Sequence, residues 1–342
     1  MPPNAAVEAV WGDHATGRIL RTLLAPAEWA FRAAVAARNV AYDRGVAPTH
    51  ASELPAVSIG NVTVGGTGKT PVAAWVAAHL RASGASPAVV LRGYGGDEAD
   101  VHAVLNPAIP VIVNPDRVAA TRDARSRGCD VAVLDDAFQH RRAHRDLDVV
   151  LVSADVPWPT HCLPAGPLRE PWSAMRRADL VVVTRKAAPV EVARDRAERA
   201  RRAGATTIVQ ASLALGPLRS VTAGDAAPID LVSMGDRRLL AIAGVANPGA
   251  FFDQLHAAGA RVVGAPFPDH HTFSDADVKD LIRRAGHADL VVCTLKDAVK
   301  LRQHWPRSGP TLWYVSQRLE LADGEEVMAG ALRRVLAARS MR

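Results

Sequence analysis

Cysteine is nearly absent from this 342-residue chain. Its three cysteines, Cys129, Cys162 and Cys293, are far apart and show no CxxC spacing, which excludes a disulfide framework. Reduced thiols in a cytosolic setting are expected. Long apolar runs are missing too: no stretch approaches the roughly 20 residues that cross a bilayer. Glu8, Asp13 and Arg18 interrupt any signal-peptide core. Acidic charge is in deficit, with a net charge of +6 and a pI of about 9.6. Arginine far outnumbers lysine. That balance suits an anionic partner such as nucleic acid, a phosphorylated substrate or acidic lipid; equally, it suits a plain compositional preference for arginine and alanine. No internal repeat or low-complexity tract occurs. What remains is a globular composition, 49% apolar, long enough for about two domains.

The first fifty residues stand apart. "GRILRTLLAPAEWAFRAAVAARNVAYDRG" (17–45) carries Ile19, Leu23, Leu24, Trp29, Phe31 and Val40 with Arg18, Arg21, Arg32, Arg38 and Arg44 between them. Pro26 is expected to break it into two helical pieces. Apolar and aromatic residues mixed with arginines fit a helix in a membrane interface, and they also fit an amphipathic helix packed on its own domain. From residue 56, apolar runs alternate with helical patterns. Strands are expected at 56–59, 88–91, 111–113, 131–134, 149–152 and 180–183, with helices from about Lys69, Pro115 and Trp172. A charged helix covers 190–203. Short unbroken apolar runs with helices between them predict a mostly parallel sheet covered on both faces. A polar, Gly/Pro-rich stretch at 216–230 reads as a linker. A second βα series follows, with strands at 240–243, 261–263, 290–293 and 312–315 and helices after Pro248, Ser274 and Asp297. The expected organisation is therefore an N-terminal helical segment (1–50), a nucleotide-binding catalytic domain (51–215) and a smaller C-terminal α/β domain (216–342).

"GNVTVGGTGKTPV" (60–72) lies between a strand and a helix. Residues Thr63, Val64, Gly65, Gly66, Thr67, Gly68, Lys69 and Thr70 form a phosphate-gripping loop: glycines let backbone N–H groups face phosphates, Lys69 reaches the outer phosphates, and Thr70 offers a hydroxyl to Mg²⁺. Thr63 stands where the strict pattern has glycine. A loop of this kind needs an acid at a neighbouring strand end, and "VAVLDDAFQH" supplies Asp135 and Asp136 for the metal. "LRGYGGDE" follows another strand and offers Arg92 and Asp97 to a substrate. "FPDHHTFSDAD" places His270 and His271 before a helix, where proton handling fits better than zinc, since no third and fourth ligand show suitable spacing.

These segments, together with "LPAGPLREP", "GVANPGAFFDQL" and "TLKDAVKL", stand in the order found in the tetraacyldisaccharide 4′-kinase (lipid A 4′-kinase) family, which the chain resembles over nearly its whole length. The resemblance implies a P-loop kinase with a smaller C-terminal α/β domain. It would use ATP and Mg²⁺ to phosphorylate the 4′-hydroxyl of a tetraacyldisaccharide 1-phosphate, giving lipid IV A. The N-terminal amphipathic helix would sit on the inner membrane at its cytoplasmic face. Asp97 would be the catalytic base, His270 its partner, and Asp135 and Asp136 the Mg²⁺ pair. Arg92, Gln139, His140, Arg169 and Glu170 would hold substrate. A monomer with no nucleic-acid partner is expected. The sequence departs from the family pattern at Leu91, Ala137 and Leu295. Gly96 abuts Asp97 directly, where a longer segment is usual, and this makes Asp116 the alternative base. Two rival readings are a partitioning-type P-loop ATPase or switch and a soluble P-loop ligase. The first usually carries an early loop lysine where Val64 stands. The second leaves the N-terminal helix and "LPAGPLREP" unexplained.

Overall fold

The structure is a computed structural model that describes residues 5–12, 14–93, 96–223 and 226–341. Two helices open the chain, α1 (Ala5–Trp11) and α2 (Ala15–Asp43). The N-terminal half then runs β1 (Ala56–Asn61), α3 (Lys69–Ala82), β2 (Pro87–Leu91), α4 (Asp97–Leu105), β3 (Val111–Val113), α5 (Arg117–Ser126), β4 (Val131–Asp135), β5 (Leu147–Ser153), β6 (Leu180–Arg185), α6 (Val190–Arg202) and β7 (Ile208–Ser220). The C-terminal half has β8 (Arg238–Ala243), α7 (Pro248–Ala257), β9 (Arg261–Pro266), α8 (Asp275–Ala285), β10 (Leu290–Thr294), α9 (Leu295–Leu301), β11 (Leu312–Leu321) and α10 (Glu325–Ala337).

All strands join one sheet, in the order β3-β2-β4-β1-β5-β6-β7-β11-β10-β8-β9. Strands β1, β2 and β4 are buried along their whole length. That is the reason their sequences are mostly apolar: helices cover both faces, and the polar exceptions, Ser58 and Asn61 of β1 and Asp135 of β4, are buried as well. Every pairing is parallel except that of β7 with β11. The chain leaves β1 toward β2 on one side while β5 lies on the other, so β1 ends at a switch in winding direction, where α/β sheets open a crevice. Strands β8 and β10 make a second such point.

Several expectations are corrected. Helix α2 is continuous through Pro26. Proline removes one backbone donor, but Pro26 is exposed, so the Thr22 carbonyl it leaves unpaired can face solvent. Beyond it, buried Glu28 pins the helix by accepting from the Cys162 N–H at 2.8 Å and meeting His161 Nδ1 at 3.0 Å. The helix at Trp172 is a short 3-10 segment, Trp172–Arg177. Residues 216–220, expected in a linker, continue β7, because Leu218, Arg219 and Ser220 pair across to β11 beyond an irregularity at Gly216 and Pro217; within the rest of that stretch, Gly224 and Asp225 lie outside the described residues. Helix α9 starts at Leu295, because the Thr294 side chain caps it. Beyond the short α1 and strand β7, two helices went unread, α4 and α10. The second packs Met328, Leu332 and Val335 into the same core as Val76 and Leu80 of α3. The cut at 215/216 therefore runs through β7, and the last helix returns to the first core.

Candidate active site

Strand β1 delivers the phosphate loop to the centre of the sheet. Gly68 is left-handed (φ 88°), and a Cβ there would lie 2.3 Å from Leu213 Cδ1, so only glycine lets the loop turn into α3 against β7. Gly60 plays a second part: a Cβ would lie 2.5 Å from Phe138 Cβ, so its absence lets the "DDAFQH" loop close on β1. Inside the loop, Asn61 Nδ2 donates to Thr67 Oγ1 at 3.0 Å and Thr184 Oγ1 donates to the Thr67 carbonyl at 2.9 Å. The "LPAGPLREP" loop lies alongside, with the Val64 N–H donating to Pro167 O at 2.7 Å and the Arg169 N–H to Val62 O at 2.8 Å. This is how a loop a hundred residues downstream in sequence reaches the site.

A cavity of about 540 Å³ opens here. Residues 64–71 line it from the N-terminal half, with Glu98, Asp136 and Arg169; Asn247, Asp269, His270 and Lys296 line it from the C-terminal half. Lys69 Nζ donates to Asn61 Oδ1 at 3.3 Å and lies 3.6 Å from Asp136 Oδ1, while Arg169 holds the same carboxylate at 2.8 Å. Burial pushes the Lys69 ammonium below its usual range and Asp136 pulls it back up. Burial alone would raise the Asp136 carboxyl, but Lys69 and Arg169 bring it below the usual value.

Asp135 ends β4, buried, with Oδ2 3.1 Å from His102 Nε2 and Oδ1 without a hydrogen-bond partner. Arg117, itself buried, donates from Nη2 to the Asp135 carbonyl at 3.1 Å. A buried acid with one spare oxygen, next to Asp136 at the end of the strand, fits a divalent cation of the magnesium type, which keeps few protein ligands and takes the rest from phosphates and water. Among the described residues there is no cluster of three His, Cys, Asp or Glu for a self-contained metal site.

Asp97 is the first residue of α4 and is 5% exposed. His270 Nδ1 lies 3.6 Å from one carboxylate oxygen and Lys300 Nζ 3.1 Å from the other. Burial raises the Asp97 carboxyl; His270 and Lys300 outweigh it and bring the pKa down to about 2. Asp97 in turn raises His270. Both partners come from the C-terminal half. The non-glycine residues with left-handed backbone among those described are Asp136 (φ 51°) and His270 (φ 58°), and both line the cavity. Such conformations cost energy and persist where the surroundings impose them.

Not every expected residue reaches the cavity. Glu170 is fully buried and takes Asn39 Nδ2 at 2.8 Å and Arg177 at 3.0 Å, with Arg38 at 3.4 Å. It ties α2 to the core, and its oxygens are committed to that task, so the expected substrate role does not fit its position. Gln139 donates to the Asn61 carbonyl at 2.9 Å, bracing the end of β1. Burial, then Arg117 and Arg145, lower His140 to about 4, so it is neutral at pH 7. Arg92 is exposed at the end of β2, just before Tyr94 and Gly95, which lie outside the described residues. Thr63 is buried and bridges to Leu168. Asp116 caps α5, accepting from the Val118 and Ala119 N–H groups at 3.0 and 3.3 Å, and is not placed at the cavity. His271 meets Asp277 at 3.1 Å, at the start of α8. Sequence reasoning missed His102, Lys300, Glu98 and Lys296. Lys296 and Lys300 lie inside the quoted "TLKDAVKL", whose spacing alone carries no pointer to Asp97.

The sequence profile of the tetraacyldisaccharide-1-P 4′-kinase family matches residues 20–109 and 96–337. A tetraacyldisaccharide 4′-kinase of Anaeromyxobacter sp. (strain Fw109-5) is 38% identical over 362 aligned positions, covering 97% of each chain. That of Geobacter sulfurreducens is 36% identical, covering 86% of this chain and 88% of its own. Among solved structures, LpxK from Aquifex aeolicus in complex with ATP superposes with a TM-score of 0.71 at 25% identity, covering 92% of this chain and 99% of that one. With the loop, Asp136 and His270 lining one cavity and Asp97 beside His270, the chain belongs to the tetraacyldisaccharide-1-P 4′-kinase family.

Proposed function

We propose that this chain is the kinase that uses ATP to phosphorylate the 4′-hydroxyl of a tetraacyldisaccharide 1-phosphate, giving lipid IV A. The observation that carries this is the cavity lined by the Lys69 loop, Asp136 and His270, with Asp135 next to Asp136 at the end of β4 and Asp97 3.6 Å from His270. Asp97 would take the proton of the 4′-hydroxyl while that oxygen bonds to the terminal phosphorus. The bond from phosphorus to the bridging oxygen breaks, and its electron pair stays with ADP. A carboxylate held at about 2 is a weak base. It suffices here, because phosphoryl transfer passes through a loose transition state and the proton moves late. Asp97 then serves mainly to orient the hydroxyl, with His270 and Lys300 fixing its two oxygens. Lys69, Arg169 and the loop N–H groups would hold the phosphates. Asp135, Asp136 and Thr70 would hold Mg²⁺, which supplies charge neutralisation on the phosphates. The division of labour, a catalytic unit at 51–215 behind segment 1–50 and a smaller unit from 216, belongs to the same proposal, with β11 and α10 returning to the first unit. So does the reading of the chain as a monomer without a nucleic-acid partner.

The direct test is transfer of label from [γ-³²P]ATP to a purified lipid disaccharide 1-phosphate. A labelled lipid bisphosphate whose yield rises with added acceptor is expected; label released only as inorganic phosphate would point to an ATPase. His102 offers a finer check. Its Nε2 holds one Asp135 oxygen in a buried pocket, so His102→Leu is expected to raise the Mg²⁺ concentration for half-maximal rate by about 10–100-fold, the usual scale for a residue that supports a metal ligand. Calorimetric Mg²⁺ binding to the ADP complex should weaken in parallel. Unchanged Mg²⁺ titrations in a folded variant would leave His102 as core packing.

No helix among the described residues is long and apolar enough to cross a membrane. We place the chain peripherally, on the cytoplasmic face of the inner membrane, through α2. That helix exposes Ile19 (62%), Leu23 (71%) and Trp29 (73%) while its other side is tied down through Glu28 and Asn39. Deleting the helix would strand buried Glu170, so substitution is the cleaner test. Ile19→Ser, Leu23→Ser and Trp29→Ser together should release the protein from anionic vesicles in flotation and raise KM for lipid more than for ATP. Binding should also weaken with salt, since arginine–headgroup attraction is screened. Vesicle binding that survives the triple change would put the contact elsewhere.

A further inference from the structure

The chain has five lysines, Lys69, Lys186, Lys279, Lys296 and Lys300, among 41 basic residues. Three of them, Lys69, Lys186 and Lys296, line the one cavity, and Lys300 sits on Asp97. In a chain that fills nearly every other basic position with arginine, compact ammonium groups are gathered where a phosphate chain would lie. An ammonium is a point charge on a flexible stem, suited to following a group that moves.

Most of these cations have an acidic neighbour. Lys69 and Arg169 share Asp136, and Lys300 pairs with Asp97. Lys186 feels Asp155 and Asp269. Lys296, half-buried, makes no hydrogen bond or ion pair among the described residues. It lines the cavity with Lys69, Glu98 and His270, and each of those three feels its charge. Its backbone is fixed. Thr294 Oγ1 donates to Asp297 Oδ2 at 2.6 Å, and the Gly244 N–H donates to the same oxygen at 3.0 Å, locking the start of α9 between β8 and β10. A held backbone and a cationic tip without an ion pair of its own among the described residues make an anion receptor supplied from the C-terminal half.

We propose that Lys296 is a further catalytic residue: its ammonium contacts the terminal phosphate of the bound nucleotide and stabilises the charge on that group as it passes to the acceptor oxygen. The proposal rests on the kinase reading above. Lys69 and Lys296 would then grip the transferring group from the two halves of the chain. A cation brought to this group by a separate structural unit is worth about 10³–10⁵ in rate in other phosphoryl-transfer enzymes.

The test uses the full-length protein and its Lys296→Gln and Lys296→Arg variants, with two arms. In the binding arm, calorimetry with ATP and with ADP, without acceptor, should show Lys296→Gln weakening ATP by about tenfold, the worth of one charge-assisted contact, and leaving ADP within about twofold. In the turnover arm, kcat should fall by at least about 100-fold with the acceptor KM little changed, and Lys296→Arg should recover part of it. Equal loss of ATP and ADP affinity would move Lys296 to the inner phosphates or the base and overturn the proposal. So would unchanged affinity for both, or a kcat near the parent's. Unchanged ADP binding also certifies that the variant is folded. The binding arm needs no acceptor, so it judges Lys296 even if the lipid is the wrong substrate; failure of the parent to phosphorylate the lipid would sink the kinase reading alone.

Discussion

Lys69→Ala is expected to abolish phosphate transfer, with a loss of about 10³-fold or more, the scale of a preorganised cation acting on a transferring phosphoryl group. The protein should stay folded. Lys69 lies half-buried against Asn61 and Asp136, and its loss does not leave that half-buried acid unpaired, because Arg169 holds the same carboxylate oxygen at 2.8 Å. Thermal melting within a few degrees of the parent, with transfer below detection, is the expected pair of results. Retained turnover in a folded variant would remove the loop from the mechanism.

The second large effect concerns the base. Asp97→Ala should lower kcat by about 10²–10⁴-fold, the range for a positioned proton acceptor. His270→Ala should cost less, and the double variant should be hardly worse than Asp97→Ala, since residues that act as one unit are not additive. ATP affinity should hold in all three. Asp116→Ala is the control. As the cap of α5, it should cost about 1 kcal/mol of stability and little rate. An active Asp97→Ala beside a dead Asp116→Ala would show that the shortened segment before Asp97 has moved the base to Asp116. Stability carries a pH signature as well. The Asp97 carboxyl is depressed, so its contribution is complete above the unfolded value of about 3.9 and is lost as pH falls toward about 2. His270 is raised, so its contribution is complete below its unfolded value and fades as pH rises through the raised one. The melting advantage of the parent over Asp97→Asn should therefore peak in mildly acidic solution, between those two limits. A flat difference across pH would mean that the pair does not form in solution.

Much of the site was legible because it is local. A glycine-rich turn between a strand and a helix is a property of a dozen adjacent residues, and so is an acid pair at the end of "VAVLDD". The strands were legible because burial on both faces leaves an unbroken apolar run. What escaped depends on partners distant in sequence. Glu170 looked like a substrate ligand in "LPAGPLREP", yet Asn39 and Arg38 of α2 claim it. His102 sits in an unremarkable helical stretch, and only the approach of α4 to β4 gives it Asp135. The same holds for Lys300 and Asp97. Helix α4 went unread because its start is hidden behind glycines, and β7 went unread because its buried and half-exposed residues alternate instead of forming an unbroken apolar run, and Gly216 and Pro217 resemble a breaker when their neighbours' pairing with β11 is unseen. Pro26 misled for the opposite reason: a local rule was overruled by tertiary anchoring at Glu28, just beyond it.

The antiparallel β7–β11 ribbon has one more consequence, for how lesions and engineering act on this gene product. The chain exits the first core along β7 and re-enters along β11, where Ser220 stands opposite Trp313. The C-terminal unit is thus an insert, spliced into a hairpin whose two stems belong to its host. A nonsense mutation that removed only α10 would strip cover from Val76 and Leu80, on the helix that begins with Lys69, and so disable nucleotide binding from the far end of the reading frame. Excising residues 221–312 and closing Ser220 to Trp313 with a tight turn would, by contrast, leave the host's sheet and its last helix intact.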